Sequence, residues 1–294
     1  MSLRATSTPR FVPAPGAGWR FATAGRWLLW RAATSIAGAS TIESTIESTI
    51  ARHRLQQLWA DRILRHLDVD LRIERETALP DKPHIVVALH EGMLDPLCLL
   101  QLGQPMRFVA RREIFDLPGM GRAIAAMDHI AIDPEHGTRA YRALRRQTAA
   151  TLARGEHLVV FAQGTILGIE TALRRGAFEL AAALGCDLLP IVIAGTHRVW
   201  EHPFSAALRY GQPVWMRVLA PVAAPPRDAQ AVEQLRLALQ HSLKDRALAQ
   251  RHAPVRRYVP SRDGYWDGYA FEIDPRFARL HADIAARRTM IRAA

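Results

Sequence analysis

Residues 84–102 read HIVVALHEGMLDPLCLLQL and decide the fold class. The first six residues form a short run rich in β-branched side chains, which is typical of a buried strand. Pro96 suits the first position of a helix and Asp95 suits the cap before it, so we expect a helix over 96–102. A buried strand that passes through a tight turn into a helix is a building unit of α/β folds.

The alternation of strand and helix continues after this segment. Short apolar runs predict further strands at 107–110, 129–133, 157–162, 187–195 and 214–219. Longer amphipathic or Ala-rich runs predict helices at 138–154, 176–185 and about 230–248. We therefore expect an α/β fold with a mostly parallel mixed sheet flanked by helices, preceded by an N-terminal helical segment.

We divide the chain into three parts. Residues 1–67 form an N-terminal tail and an interfacial helical segment, and residues 68–225 form the α/β domain. Residues 226–294 form a C-terminal helix and an aromatic covering segment of the same unit.

Residues 19–38 alternate Trp and Leu with Arg, which favours either a membrane interface or a helix packed on the protein. The repeat TIESTIESTI at 41–50 places every fourth residue, an Ile, on one helix face, and we assign it no chemistry.

Composition limits the classes of partner. The chain carries 39 basic and 28 acidic residues, a net charge of +11. This excess favours anionic partners, but it is scattered and lacks any nucleic-acid-binding pattern, so we expect no nucleic acid partner.

Cys98 and Cys186 lie in apolar runs and are expected to be small buried hydrophobes. We expect no metal site, no transmembrane helix and a cytoplasmic protein, peripheral on the inner face of the membrane.

His90 and Asp95 are the candidates for catalysis. His90 follows the predicted strand, and Asp95 comes five residues later. On one continuous helix the two side chains would point about 140° apart. A helix that begins at Pro96 leaves a turn that can bend His90 back towards Asp95. A carboxylate that orients a histidine makes the ring a general base for a hydroxyl group.

The pattern H-x4-D after a strand resembles the first signature of the glycerol-3-phosphate and 1-acylglycerol-3-phosphate acyltransferase family, the PlsC-like lysophospholipid acyltransferases. Residues 107–133 are similar to the second block of this family. VVFAQGTI at 159–166 looks like the third block, usually Phe-Pro-Glu-Gly-Thr-Arg-Ser, and LLPIVIAG at 188–195 looks like the fourth. The resemblance covers about residues 80–220.

The resemblance implies roles for individual residues. His90 is the base and Asp95 its partner. Arg111 or Arg112 holds the phosphate of an acceptor, and Gly164 and Thr165 form the backbone turn at the acceptor site. Arg174 and Arg175 contact an anionic headgroup or the acyl donor, unless they are solvated surface residues. This sequence departs from the pattern at Gln163, where the family has Glu, and at Ile166, where it has Arg. Gln163 is expected to bind the substrate through hydrogen bonds, without the negative charge of Glu.

The function that the resemblance implies is acyl transfer to a hydroxyl of a glycerolipid-like acceptor. The donor is acyl-CoA or acyl-carrier protein as co-substrate, no cofactor is needed, and the protein works at an anionic membrane surface. Ile166 weakens the case for a phosphate monoester in the acceptor. Three alternatives stay open: a lipid or thioester hydrolase with the same His–Asp pair, a non-catalytic lipid-binding protein, and acylation of an amine.

Overall fold

The computed structural model describes residues 46–116, 120–201, 209–250 and 271–293. The segment at 19–38, the first part of the repeat, and residues 202–208 and 251–270 lie outside the described residues.

Seven strands within the described ranges form one sheet. In chain order they are β1 (Asp70–Arg75), β2 (Ile85–Ala88), β3 (Met106–Arg111), β4 (Ile130–Ile132), β5 (His157–Phe161), β6 (Leu188–Ala194) and β7 (Pro213–Val218). Their order across the sheet is β1-β7-β6-β2-β5-β3-β4. Every neighbouring pair is parallel except β6 and β7. The predicted α/β fold with a mostly parallel mixed sheet is confirmed.

Helices cover both faces of the sheet. In chain order they are α1 (Ile46–His66), α2 (Asp95–Leu100), α3 (Arg112–Phe115), α4 (Met120–Ala126), α5 (Gly137–Ala153), α6 (Gly176–Leu184), α7 (Thr196–Val199), α8 (Ala229–Leu248) and α9 (Ala278–Ala293). Short 3-10 turns precede α5 and α9, at Pro134–His136 and Pro275–Phe277. None of the helices in the described ranges is long and apolar enough to cross a membrane.

The core lies in two layers, one on each face of the sheet. Alternate residues of β2 supply both layers, because successive side chains of a strand point to opposite faces. Ile85 and Val87 pack with residues of α5, α6 and α8, whereas Val86 and Ala88 pack with residues of α1 and α2. The apolar run of β2 is therefore explained by burial on both sides, as expected for a central parallel strand.

The sheet opens beside the carboxyl end of β5. β3 pairs with β5 only over Met106–Phe108. The next three residues, Val109–Arg111, pair with β4 instead. The last two residues of β5, Val160 and Phe161, pair with β2 but not with β3. A fork between β3 and β5 results, and it leaves room between the two layers.

The C-terminal segment, residues 271–293, packs beside the carboxyl end of the sheet. The backbone N–H of Ala172 donates to the Glu272 carbonyl and that of Asp274 donates to the Glu170 carbonyl, each at 2.8 Å. The fully buried Lys244 of α8 donates to the Asp274 carboxylate at 2.7 Å and to the Thr171 carbonyl at 2.8 Å. Lys244 therefore joins α8, the 170–172 loop and the C-terminal segment.

Three local expectations were wrong or incomplete. α2 begins at Asp95, with Leu94 as the cap residue, so Asp95 lies in the first turn and its side chain does not cap the helix. Cys98 is buried as expected, but Cys186 is only half-buried. β1 and α9 were not predicted, because the charged sequence DLRIER and the polar sequence of α9 lack a clear apolar period.

His157 should make stability depend on pH. It is 2% exposed, and its Nδ1 accepts the His84 N–H at 3.1 Å. Burial, with the charge of His84 second, lowers its pKa from 6.5 to about 4. Between these pH values the unfolded state binds more protons than the folded state. The stability is therefore full above pH 6.5 and falls by about 3 kcal/mol towards pH 4.

His157→Asn keeps an acceptor for the His84 N–H and removes the titration. We expect urea unfolding between about pH 7.5 and about pH 5 to show a shallower pH slope for the variant. The slope should not vanish, because burial also lowers the pKa of His129, to about 3. Equal slopes in the two proteins would show that His157 is not the acid-sensitive group.

Candidate active site

His90 and Asp95 meet at the carboxyl end of β2. The His90 Nδ1 lies 2.7 Å from Asp95 Oδ2, so the predicted contact is confirmed. The ring of Phe161, at the end of β5, stacks on the imidazole with centroids 4.0 Å apart and planes at 16°. The histidine side chain is 19% exposed and the aspartate fully buried. The ring is thus held by one hydrogen bond and one stacking contact, with an edge open to solvent.

The Asp95 carboxylate accepts four hydrogen bonds. Oδ2 accepts the backbone N–H of Glu91 at 2.6 Å and of Gly92 at 2.9 Å, besides the ring Nδ1–H of His90. Oδ1 accepts the Thr196 hydroxyl at 2.5 Å. A carboxylate can only accept, so the proton of the neutral imidazole resides on Nδ1. His90 Nε2 is then the unprotonated nitrogen, which is the form a general base needs.

Thr196 is a site residue that the sequence did not reveal. It opens α7, directly after β6, and its side chain is fully buried. Gly92 allows the histidine loop to approach it: a Cβ at Gly92 would lie 2.6 Å from the Thr196 carbonyl carbon. The signal in the sequence was the polar residue that follows the buried strand, since side chains at the carboxyl ends of parallel strands converge.

His90 lines a cavity of about 550 Å³. Most of its walls are apolar side chains. On one face of the sheet they include Trp59, Ile63, Leu97, Leu100 and Met127, and on the other Ala140, Tyr141, Leu144, Ala177 and Leu180. The walls between these sets come from Phe108 to Arg111 of β3 and from Val160 and Phe161 of β5. The cavity therefore occupies the fork in the sheet and reaches both layers.

The predicted substrate-binding residues divide into two groups. Arg111, Gly164, Thr165 and Arg174 line the cavity. Arg112, Gln163 and Arg175 are not among the residues that line it. The Arg111 guanidinium lies 3.4 Å from Glu113, which also lines the cavity, and the Arg174 side chain lies over Gly164, where a Cβ would come within 2.8 Å of its Cδ.

Each of the three residues away from the wall has other contacts. Arg112 pairs with Asp133 at 2.6 Å on the surface. Arg175 lies 3.4 Å from Glu179 and 3.9 Å from Glu233. Gln163 is 1% exposed and makes hydrogen bonds behind the cavity wall.

Ile166 lines the cavity where the family pattern has Arg. It also packs against Phe271, Ile273, Leu280 and Ile284 of the C-terminal segment. Position 166 is therefore apolar, where the resemblance predicts a positive charge, and its side chain is buried against the C-terminal segment.

Backbone N–H groups before α2 are already engaged. Those of His90, Glu91, Gly92, Met93 and Asp95 each donate to an acceptor within the protein. Backbone N–H groups near the start of a helix can serve as an oxyanion hole. These five groups cannot provide it unless they give up their present acceptors.

Comparison with known proteins finds acyltransferases that are similar to this chain. Residues 70–194 match the acyltransferase family model. A 1-acyl-sn-glycerol-3-phosphate acyltransferase of Chlamydomonas reinhardtii is 29% identical over 60% of this chain and 53% of its own. One from Pseudomonas aeruginosa is 28% identical over 46% of this chain and 52% of its own. The chain thus spans about half the length of these curated relatives.

A solved structure has the same fold. The 1-acyl-sn-glycerophosphate acyltransferase PlsC of Thermotoga maritima superimposes with a TM-score of 0.63. The match covers 79% of this chain and 94% of that one, at 20% sequence identity. The likeness supports the α/β architecture described above.

Thr196→Val should lower the free energy of unfolding by about 1.5–3 kcal/mol, because it leaves Asp95 Oδ1 buried without its hydroxyl donor. Thr196→Ser keeps the hydroxyl and serves as the control, with a much smaller loss. Urea unfolding at neutral pH measures both variants. Equal losses for Val and Ser would mean that the methyl group, and not the hydrogen bond, supports the site.

Proposed function

We propose that this chain transfers a fatty acyl group from a thioester donor to a hydroxyl of a glycerolipid-like acceptor, because residues 70–194 match the acyltransferase family model. One observation carries the proposal above the others: His90, held by Asp95, lines a large, mostly apolar cavity. The pair supplies a general base, and the cavity can take a hydrocarbon chain.

The reaction uses the unprotonated Nε2 of His90. It removes the proton of the acceptor hydroxyl while the oxygen attacks the thioester carbonyl carbon. The tetrahedral intermediate collapses, the carbon–sulfur bond breaks, and the thiolate takes the proton from the imidazolium. Asp95 stabilises the imidazolium in between, as the carboxylate does in other His–Asp pairs. No covalent acyl-enzyme is required.

The cavity suits the acyl chain. Its walls on both faces of the sheet are aliphatic and aromatic, and each buried methylene contributes about 0.8 kcal/mol. The thioester carbonyl would lie beside His90, with the chain directed into the fork between β3 and β5. Residues of α5, including Ala140, then limit the space available to the far end of the chain.

The acceptor is the next component of the proposal. The relatives are named 1-acyl-sn-glycerol-3-phosphate acyltransferases, which makes 1-acylglycerol 3-phosphate the first acceptor to test. Arg111 and Arg174 bring positive charge to the cavity wall and suit an anionic group. Ile166 removes the charge of the family pattern, so phosphate-free acceptors belong in the same experiment.

The donor carrier and the membrane complete the proposal. Acyl-CoA and acyl-carrier protein are both anionic, and the net charge of +11 favours either one. The same charge favours work at an anionic membrane surface.

His90→Ala should abolish the general base and lower the rate of acyl transfer by about 10²–10⁴-fold. The assay supplies labelled acyl-CoA or acyl-carrier protein with lysophosphatidate or a phosphate-free lipid alcohol, and mass spectrometry identifies the ester. His241→Ala, at an exposed histidine of α8, a helix that contributes no residue to the cavity wall, is the control and should keep the wild-type rate.

Other outcomes would redirect the proposal. Release of free fatty acid without any acceptor, lost in His90→Ala, would show a hydrolase. Absence of product with both donors and both kinds of acceptor would leave the lipid-binding alternative. Product formation at the wild-type rate by His90→Ala would remove His90 from the mechanism.

Ala140→Phe should shift donor preference towards shorter chains. Ala140 lines the cavity on α5, and a phenyl group there displaces part of the hydrocarbon. Loss of two buried methylenes costs about 1.6 kcal/mol, or roughly tenfold in kcat/KM for the longest chain accepted. Ala150→Phe, at an exposed position of the same helix, is the control. An unchanged profile across donor lengths would mean that the chain does not reach α5.

A further inference from the structure

Gln163 lies behind the histidine, between the end of β5 and the loop at 164–171. Its Oε1 accepts the backbone N–H of His90 at 2.5 Å. Its Nε2 lies 2.5 Å from the Gly168 carbonyl oxygen and 3.2 Å from Thr171 Oγ1. The side chain is 1% exposed, so these contacts take the place of water.

The groups around Gln163 require an amide. The Thr171 hydroxyl donates to the Gly168 carbonyl at 2.8 Å, so its oxygen can only accept from Gln163. One end of the side chain therefore faces a donor, and the other end faces two acceptors. A primary amide satisfies both ends, whereas an ionised carboxylate has no N–H and would face two oxygens.

The acceptors on the far side are themselves fixed. The Thr171 carbonyl receives the buried Lys244 ammonium at 2.8 Å, and Lys244 also binds Asp274 of the C-terminal segment. Thr171 further forms an antiparallel bridge with Ile273. The loop that holds the Gln163 amide is thus attached to α8 and to the C-terminal segment.

We propose that Gln163 is a positioning residue for His90 and that its neutral amide, in place of the Glu of the family pattern, is needed for the reaction in this chain. Asp95 orients the histidine ring, while Gln163 fixes the backbone from which the ring projects. This inference rests on the proposed function of His90 as the base. A catalytic group must be held to about half an ångström, so the backbone contact affects the rate and not the affinity for the substrate.

Gln163→Glu restores the family residue, and we expect it to impair the enzyme. At about pH 8 the introduced carboxylate should lower kcat by roughly 10–100-fold and leave KM within about threefold. Acidification to about pH 5.5 should reduce the deficit relative to wild type, because a protonated carboxyl regains a donor and burial favours its neutral form. Gln147→Glu makes the same charge change at an exposed position of α5 and should match wild type at both pH values.

A second readout does not depend on turnover. Nitrogen-15 NMR of the histidine rings, with His90→Ala to assign the signal, should show at about pH 8 that the His90 ring signal moves in Gln163→Glu and stays in Gln147→Glu. If wild type transfers no acyl group, the proposed function fails, and this measurement alone decides whether Gln163 positions His90.

The results that overturn the proposal are specific. They are a wild-type kcat for folded Gln163→Glu at about pH 8, a loss confined to KM, a loss that acid does not reduce, or an unmoved His90 signal. If Gln163→Glu does not fold at about pH 8, Thr171→Val replaces it, since it removes one acceptor of the amide and should lower kcat several-fold at constant KM. A wild-type kcat for Thr171→Val would then overturn the proposal.

Discussion

The buried Asp95 carboxylate is the constraint on which the site depends. Removing a charge from water is costly unless polar partners replace the water, and four donors do so here. Two of them are backbone N–H groups of the loop before α2, so the carboxylate fixes the shape of that loop. The third comes from His90 and the fourth from Thr196 at the end of β6. Satisfying one charge therefore joins β2, α2 and β6 at a single point.

The fork in the sheet gives this point its access to hydrocarbon. Had β3 continued along β5, backbone hydrogen bonds would have closed the space beside Phe161. Because β3 changes its partner from β5 to β4 after Phe108, side chains from both core layers meet in one cavity. The stacking of Phe161 on His90 places the histidine at the mouth of that space. The polar pair and the apolar cavity thus arise from the same strand ends.

The sequence predicted the parts that local physics controls. The β-branched run of β2, the turn and Pro96 were sufficient to bring His90 to Asp95. Local patterns did not reveal Thr196, because its contact with Asp95 spans 101 residues of sequence. Nor did they show that Gln163 does not line the cavity and instead contacts the His90 backbone. The position of Arg174 at the cavity wall and the contact of Ile166 with the C-terminal segment likewise depend on packing between distant segments.

The charge balance of the site gives a further reason for a neutral residue at position 163. Asp95 and Glu91 are both fully buried, so the loop from His90 to Asp95 already carries two buried acidic side chains. Attack on a thioester places negative charge on the carbonyl oxygen close to His90, and charges interact more strongly where water is excluded. A third carboxylate, in contact with the His90 backbone, would repel the negative charge that develops on the thioester oxygen. It would also face the Gly168 carbonyl oxygen without a hydrogen to share. An amide avoids both penalties. Lys244, which lies near Glu91 and binds Asp274, holds the adjoining loop in place with a positive charge.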